Sequence, residues 1–225
     1  MSTSADSSIL KLDHIDLLLK SEAGDVHILK NICLTLPPSK TVSIMGPSGS
    51  GKTTLLMVLG GLEKPTAGTV EVAGTVLNGL SEDDLATFRR DNIGIVFQNF
   101  HLIPTMTALE NVAIPLEFAG YKDAFKKAAK ALAAVGLQER IKHYPGQLSG
   151  GEQQRVAIAR AFVTTPRLIL ADEPTGNLDV DTGKKVMDLM FDMTRQHGTT
   201  LILVTHDPVL AGECDIQVKI RDGKI

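Results

Sequence analysis

Four short apolar segments of the chain have the pattern of strands that are buried on both faces. Each is rich in valine, isoleucine, leucine or alanine, and each is followed directly by polar or glycine-rich residues. The segments are residues 41–45 (TVSIM), 93–97 (IGIVF), 168–171 (LILA) and 200–205 (TLILVT). Because a helical pattern separates the last two, we expect a parallel sheet in an α/β fold.

Three other segments have the pattern of amphipathic helices, in residues 121–136, 151–165 and 181–198. Proline follows the second at position 166, and glycine ends the first and the third. The predicted apolar faces are Phe125, Ala128, Leu132 and Val135 before Gly136, and Val186, Leu189, Met190 and Met193 before Gly198.

The patterns also indicate how the domain is organised. Residues 10–19 and 68–79 alternate and turn like a small antiparallel β subdomain. No strand pattern lies between about 100 and 165. We therefore predict a single domain over 1–225, with an α/β core formed by 1–98 and 166–225 and a helical lobe inserted at 99–165.

Composition excludes some classes of function. Apolar residues make up 43% and charged residues 22% of the chain, as in ordinary folded proteins. The net charge of −3 provides no basic field, so we expect no nucleic-acid partner. Cys33 and Cys214 have no metal-like spacing in the sequence, and they are interpreted as reduced cytosolic thiols.

The chain has no sequence pattern of a membrane anchor. Its start, MSTSADSS, lacks the basic and apolar regions of a signal peptide and is predicted to be a frayed end. No apolar run approaches the roughly 20 residues that span a bilayer. We expect a cytoplasmic protein whose membrane role, if it has one, depends on a partner.

Residues 46–53, GPSGSGKT, match the phosphate-binding pattern G-x-x-x-x-G-K-[ST]. A predicted strand precedes the pattern and a predicted helix follows it, which a flexible Gly-Ser loop would not require. Backbone N–H groups there would surround phosphate oxygens, Lys52 would contact the β- and γ-phosphates, and Thr53 would offer its hydroxyl to Mg²⁺. The candidate nucleotide contacts are Gly46, Pro47, Ser48, Gly49, Ser50, Gly51, Lys52, Thr53 and Thr54.

Polar residues follow three of the predicted strands. Asp172 and Glu173 end LILADE, where the first can bind Mg²⁺ and the second can orient and deprotonate an attacking water. Gln98 could contact Mg²⁺ or that water, and His206 could hydrogen-bond the γ-phosphate. The alternative for the acids is a solvated strand end, and for Gln98 and His206 an ordinary surface position.

The segment LSGGEQ supplies a second anion-binding element almost a hundred residues after the first. Ser149, Gly150 and Gly151 precede a predicted helix, and two adjacent glycines contribute no side-chain packing. One γ-phosphate hardly needs two such elements from the same molecule. We therefore expect this element to contact the nucleotide of a second copy, so that ATP lies between two subunits arranged head to tail.

Taken together, these motifs resemble the ATP-binding-cassette (ABC) ATPases in order and spacing over essentially the whole chain. The resemblance implies a RecA-like P-loop NTPase core, ATP and Mg²⁺ as ligands, and a homodimer in the ATP state. It implies that Glu173 is the general base, His206 the switch residue, and Gln98 the hinge to the helical lobe. Asp179, in GNLD, would couple the two nucleotide sites across the dimer interface.

Three longer segments resemble a narrower group, the ATPases of lipoprotein-release and MacB-type systems, which include LolD and YbbA-like proteins. They are residues 101–116, 135–161 and 170–179. This similarity implies a separate integral-membrane permease, with the ATPase on the cytoplasmic face of the inner membrane. Residues 106–112 would receive a coupling helix of the permease, although packing within the lobe is the alternative.

Two alternatives to the transporter reading stay open: a regulator similar to the cell-division ATPase FtsE, and a soluble ABC ATPase. The chain also departs from the family at one position. An aromatic residue usually stacks on adenine about 27 residues before the phosphate loop, and the ungapped match here is Leu19. A small gap would shift this match to Ser21 or Glu22.

Overall fold

The computed structural model describes residues 8–20 and 24–225. Most of the predicted frayed end and the alternative adenine positions Ser21 and Glu22 lie outside this part. The strands are β1 (Leu10–Leu19), β2 (Val26–Leu36), β3 (Thr41–Met45), β4 (Ala67–Val72), β5 (Thr75–Val76), β6 (Ile93–Phe97), β7 (Leu168–Asp172), β8 (Thr200–Val204) and β9 (Ile216–Lys219). The helices are α1 (Lys52–Leu59), α2 (Glu82–Asn92), α3 (Ala108–Phe118), α4 (Ala124–Ala134), α5 (Gly150–Phe162), α6 (Val180–His197) and α7 (Pro208–Gly212).

The chain divides into two compact units. The first unit consists of Met1–Arg89 and Thr200–Ile225, and the second consists of Arg90–Thr199. Both combine strands with helices. The helical lobe predicted at 99–165 differs from this division, because the second unit also contains β6, β7 and α6, and the lobe stays a prediction.

The first unit contains an antiparallel sheet in the order β2-β1-β4-β5 and three parallel strands in the order β8-β3-β9. All five residues of β8 are buried, as the continuous apolar pattern of TLILV predicts. Strand β1 instead alternates between buried and exposed residues, as expected for a sheet with one packed face. The predicted antiparallel subdomain and the parallel strands are therefore both present.

The second unit pairs β6 with β7 in parallel and packs its helices beside them. Helices α3, α4 and α5 pack against one another, and α5 also contacts β6 and α6. The approach of α5 to β6 is close, because a Cβ at Gly94 would lie 2.3 Å from the carbonyl oxygen of Ala161. Glycine at this strand position lets the helix backbone reach the strand.

The α/β fold class predicted from the sequence is confirmed, but several helices differ from the prediction. Helices α2 and α3 were not predicted at all. Phe125 was expected on the packed face of α4, yet it is 46% exposed, and Ala124 is buried instead. The helix begins at residue 124 rather than 121, and Lys126 and Lys130 are exposed as Phe125 is.

No helix within residues 8–20 and 24–225 combines the length and the hydropathy that crossing a bilayer requires.

A buried asparagine fixes the loop that leads into α3. Asn111 is 0% exposed, and its Oδ1 accepts a hydrogen bond of 2.8 Å from the backbone N–H of Ile103. Its Nδ2 lies 3.0–3.1 Å from the carbonyl oxygens of Ile103, Met106 and Thr107. One side chain therefore bonds to four backbone groups of this turn, and buried backbone groups need such partners.

We predict that Asn111→Ala lowers the free energy of unfolding by about 2–3 kcal/mol, because it leaves partly buried backbone groups without partners. Thermal and urea unfolding of the purified chain measure this change. The matched control is Glu117→Ala on the exposed side of the same helix, which should change stability by less than about 0.5 kcal/mol. Equal effects of the two substitutions would contradict the proposed role of Asn111.

Candidate functional site

The phosphate-binding segment 46–53 joins β3 to α1 through backbone conformations that require glycine. Gly49 and Gly51 have φ angles of +77° and +99°. A Cβ at Gly46 would lie 2.1 Å from the carbonyl oxygen of Ile220, and one at Gly51 would lie 3.1 Å from a methyl carbon of Leu29. The loop is therefore shaped by positive φ angles and by close packing against neighbouring strands.

Lys52 lies against the backbone of this loop. Its Nζ donates hydrogen bonds of 2.9 Å to the carbonyl oxygens of Gly46 and Pro47, and the side chain is buried. The Ser50 hydroxyl is also buried, and it has no hydrogen-bond partner among the described residues. Pro47, Ser48, Gly49 and Thr53 are exposed, whereas Gly46 and Thr54 are half-buried. This arrangement presents an ammonium group and hydroxyl groups around one loop, as binding of a polyphosphate requires.

In the second unit, the ends of two strands bring predicted site residues together. Phe97 at the end of β6 pairs with Asp172 at the end of β7, so Gln98 follows directly beside the two acids. The Nε2 of Gln98 donates to Oδ1 of Asn177 at 3.3 Å, and Nδ2 of Asn177 donates to the Gln98 carbonyl oxygen at 3.0 Å. Asn177, which the sequence analysis did not single out, therefore positions Gln98.

Glu173 has a left-handed backbone conformation with φ of +44°. Such a φ is uncommon for a residue other than glycine and costs on the order of 1–3 kcal/mol. The turn is closed by a hydrogen bond of 3.0 Å from the backbone N–H of Gly176 to the Glu173 carbonyl oxygen. The conformation redirects the half-buried Glu173 side chain away from the regular alternation of β7.

Ser149 caps the N-terminus of α5. Its hydroxyl accepts from the backbone N–H of Glu152 at 3.3 Å, and its own N–H donates to the Glu152 carboxylate at 2.8 Å. This capping box follows from the S-x-x-E spacing. The hydrogen bond from Ser149, together with Arg140 at 3.1 Å, keeps the pKa of Glu152 below its usual value. Two hydrogen bonds therefore fix the N-terminus of α5, and the serine that caps it is exposed.

Gly150 and Gly151, at the start of α5 (called the signature helix below), have neighbours inside this chain. A Cβ at Gly151 would lie 2.4 Å from Cγ2 of Thr182, and one at Gly150 would lie 3.3 Å from a methyl carbon of Leu178. The sequence analysis attributed their lack of side chains to a second subunit alone. Gly151 is buried, so its close approach to α6 is already a sufficient reason for glycine at that position.

Asp179 lies in the same region because it caps α6. Its Oδ1 accepts from the backbone N–H of Thr182 at 3.0 Å, and this hydrogen bond lowers the pKa of the exposed Asp179 carboxyl. Thr182 therefore donates its backbone N–H to Asp179 and places its methyl group beside Gly151. Thr182 thus links α5 to residues 176–179 (GNLD).

His206 and Leu19 lie in the first unit. His206 is exposed and follows β8, where Thr205 Oγ1 accepts from the backbone N–H of Asp207 at 3.0 Å. Leu19 is 41% exposed and pairs with Val26 across the β1–β2 ladder. Val26 is itself 50% exposed, so the end of this hairpin offers an apolar surface rather than an aromatic ring.

Two further polar residues of α5 hold the strand-end loops of the second unit. Gln154 is fully buried, and its Nε2 donates to the Pro174 carbonyl oxygen at 2.6 Å. Arg160 donates to the carbonyl oxygens of Phe100 and His101 at 2.9 and 2.7 Å. The sequence pattern predicted both residues only as members of an amphipathic helix. Polar residues on the packed side of that helix were the signal that could have indicated their hydrogen-bonding role.

Comparison with known proteins gives consistent matches over nearly the full length. The lipoprotein-releasing system ATP-binding protein LolD of Geobacter metallireducens is 47% identical over 97% of this chain and 98% of its own. The macrolide export ATP-binding/permease protein MacB of Rhodopirellula baltica is 46% identical over 89% of this chain but only 30% of its own. A dimeric structure of the ATP-binding cassette MJ0796 in a post-hydrolysis state, bound to ADP and Pi, superimposes with a TM-score of 0.89 at 43% identity, covering 96% of both chains.

The family model described as ABC transporter matches residues 29–176. The chain belongs to the ABC transporter family. The resemblance to LolD- and MacB-type ATP-binding proteins and the ABC ATPase architecture predicted from the sequence are confirmed. Membership in this ABC ATPase family implies ATP binding and hydrolysis, whereas the roles of single residues stay predictions.

For this ABC protein, we predict that Gly151→Ala lowers stability by about 1–3 kcal/mol, because the new Cβ meets the Thr182 methyl carbon. Thermal unfolding measures the change. The double substitution Gly151→Ala with Thr182→Ser removes that methyl group and should restore most of the lost stability.

Gly146→Ala is the matched control, since a Cβ there has nothing within 4 Å. If Gly151→Ala is as stable as this control, or if Thr182→Ser brings no recovery, packing between α5 and α6 is not the reason for glycine at position 151.

Proposed function

We propose that this chain is the ATP-hydrolysing subunit of a membrane transporter of the LolD and MacB type. In this proposal two copies close head to tail around ATP and drive a separate permease. The observation that carries it is the likeness to the dimeric MJ0796 cassette bound to ADP and Pi, at 43% identity over 96% of both chains. The closely similar relatives are ATP-binding proteins of a lipoprotein-releasing system and of macrolide export.

Binding of the nucleotide would begin at the loop 46–53. The triphosphate would lie against backbone N–H groups there and at the start of α1, where the helix dipole favours negative charge. Lys52 would exchange its hydrogen bonds with the carbonyl oxygens of Gly46 and Pro47 for phosphate oxygens. The partnerless Ser50 hydroxyl fits the same ligand, because a buried hydroxyl is stabilised by a hydrogen-bonding partner. Leu19 would pack on adenine in place of an aromatic ring.

Hydrolysis would depend on the residues that follow the strands. Thr53, Gln98 and Asp172 offer the oxygen donors that Mg²⁺ prefers, and the ion would neutralise charge on the phosphates. Glu173 would accept a proton from the attacking water, and its strained backbone supports a specific orientation of the carboxylate. His206 would donate to the γ-phosphate.

The second copy would contribute the N-terminus of α5. Ser149 is exposed and already fixed by its capping box, while Gly150 is only half-buried. Their backbone N–H groups suit a γ-phosphate of the partner subunit's nucleotide. Gly151 would act mainly as the packing position that sets this helix end. Asp179 would lie at the interface beside Val180, which is 89% exposed.

A permease partner is supported by the names and lengths of the relatives. MacB is an ATP-binding/permease protein of which the match covers 30%, whereas the match to the lipoprotein-releasing system ATP-binding protein LolD covers 98% of that protein. We infer that a separate membrane chain takes the permease role and holds the ATPase at the cytoplasmic face of the inner membrane. Residues 106–112, which comprise the end of the loop bound by Asn111 and the first residues of α3, are the proposed contact.

Glu173→Gln should slow ATP hydrolysis by about a hundredfold or more while nucleotide binding persists, because the general base is lost. The variant should also accumulate as a dimer with ATP and Mg²⁺, measured by light scattering after gel filtration. Lys52→Ala is the companion variant, and it should abolish nucleotide binding and with it the dimer. A Glu173→Gln variant that hydrolyses ATP normally would contradict the assignment of the base.

Copurification tests the transporter role itself. We would tag Glu173→Gln, solubilise membranes with ATP present, and identify bound proteins by mass spectrometry, with Lys52→Ala as the control that cannot close around ATP. Recovery of a permease with a large extracytoplasmic domain is the expected result. Recovery of soluble partners alone would overturn the proposal in favour of a soluble ABC ATPase, and a permease-like complex without transport would indicate an FtsE-like regulator.

A further inference from the structure

Three side chains that bind metals lie together on the antiparallel sheet of the first unit, outside the proposed nucleotide site. They are Asp13 and His14 in β1 and Cys33 in β2. One carboxylate oxygen, one imidazole nitrogen and the thiol sulfur all lie within 4.8 Å of one another. The side chains of His14 and Asp13 are 69% and 60% exposed, so an ion can reach them from solvent.

The distance between the sulfur of Cys33 and the nearer ring nitrogen of His14 suits a single small ion. Cys33 Sγ lies 3.7 Å from Nδ1 of His14. In a tetrahedral zinc site, with Zn–S near 2.3 Å and Zn–N near 2.05 Å, the same two atoms would be about 3.6 Å apart. Oδ1 of Asn31 is hydrogen-bonded to the same nitrogen at 2.6 Å, so an ion bound at Nδ1 would replace this hydrogen bond, and the Asp13 carboxylate lies 3.8 Å from Nε2 of the same ring.

The backbone holds these groups in place through a bulge. The pairing of β1 with β2 shifts between Leu12 and Ile15, and the side chains of both Asp13 and His14 therefore point away from the buried face. His14 and Asn31 have φ angles of +51° and +52°. A Cβ at Gly68 of β4 would lie 2.3 Å from the His14 carbonyl oxygen, so this glycine lets β4 approach the bulge in β1.

We propose that Asp13, His14 and Cys33 form a binding site for a divalent transition-metal ion of the zinc class. A thiolate, an imidazole and a carboxylate together select zinc over magnesium or calcium, which prefer oxygen ligands alone. Cys33 releases its thiol proton to solvent when the sulfur binds the ion. The bound ion links β1 to β2 at the bulge and so stabilises the sheet that carries Leu19.

The experiment uses the full chain, freed of metal with a chelator and kept without nucleotide. Zinc binding is measured by calorimetry and by elemental analysis after gel filtration, and cobalt(II) serves as a spectroscopic probe. We expect one ion per chain, a thiolate-to-cobalt charge-transfer band, and a higher melting temperature with zinc. Cys33→Ser should abolish the band, and Cys33→Ser and His14→Asn should each weaken zinc binding by more than about tenfold.

His14→Asn is chosen because asparagine tolerates the left-handed backbone that position 14 requires, so the bulge is kept while the imidazole is removed. His27→Gln and Cys214→Ala are matched controls that should leave binding unchanged. His27 lies on the same hairpin but is paired with Asp16 at 2.6 Å. Burial raises the pKa of the Cys214 thiol to about 11, which makes it a poor ligand at neutral pH.

Absence of zinc uptake by the unaltered chain would overturn the proposal. Uptake that Cys33→Ser and His14→Asn leave unchanged, or that His27→Gln removes instead, would overturn it as well, because the ion would then be bound elsewhere. None of these substitutions changes a residue assigned to ATP binding or hydrolysis. ATPase activity of the variants therefore reports separately on the proposed function.

Discussion

The structure of the candidate site depends on glycines at positions where a neighbouring segment leaves no room for a side chain. At Gly46 a Cβ would lie 2.1 Å from the carbonyl oxygen of Ile220, and at Gly151 it would lie 2.4 Å from a methyl carbon of Thr182. Glycine at the first position shapes the phosphate-binding loop around Lys52. Glycine at the second sets α5 against α6, so in each unit a glycine allows the close packing of a helix end that is predicted to bind an anion.

The second unit shows how this packing connects separate motifs. Thr182 donates its N–H to Asp179 and places its methyl group beside Gly151, while Gln98 is held by Asn177 from the same segment. Residues 176–182 therefore contact both the signature helix and the residue that follows β6. A movement of this segment would displace Ser149 and Gln98 together. The segment would in this way connect the proposed subunit interface with the proposed catalytic residues.

Much of the architecture could be predicted because local patterns determine it. The strands at 41–45 and 93–97 were predicted with the bounds that the structure has, since continuous apolar runs between polar residues allow few other states. The phosphate loop and the capping box of Ser149 follow likewise from fixed spacing. Helix α3 was missed although its start carries a local capping box between Thr107 and Glu110, and Phe125 was misplaced because neighbouring helices, not periodicity, decide which side is covered.

The sequence by itself determined the family and the fold class, and it predicted the phosphate-binding residues, because these depend on residue type and spacing along the chain. Only the tertiary structure decided why Gly151 is glycine, that Glu173 is held at a positive φ, and that Asn177 positions Gln98. It also brought Cys33 beside Asp13 and His14, although the cysteine showed no metal-like spacing. These features arise from contacts between residues far apart in sequence, and the strand register that creates them is fixed only when the sheet and helices pack.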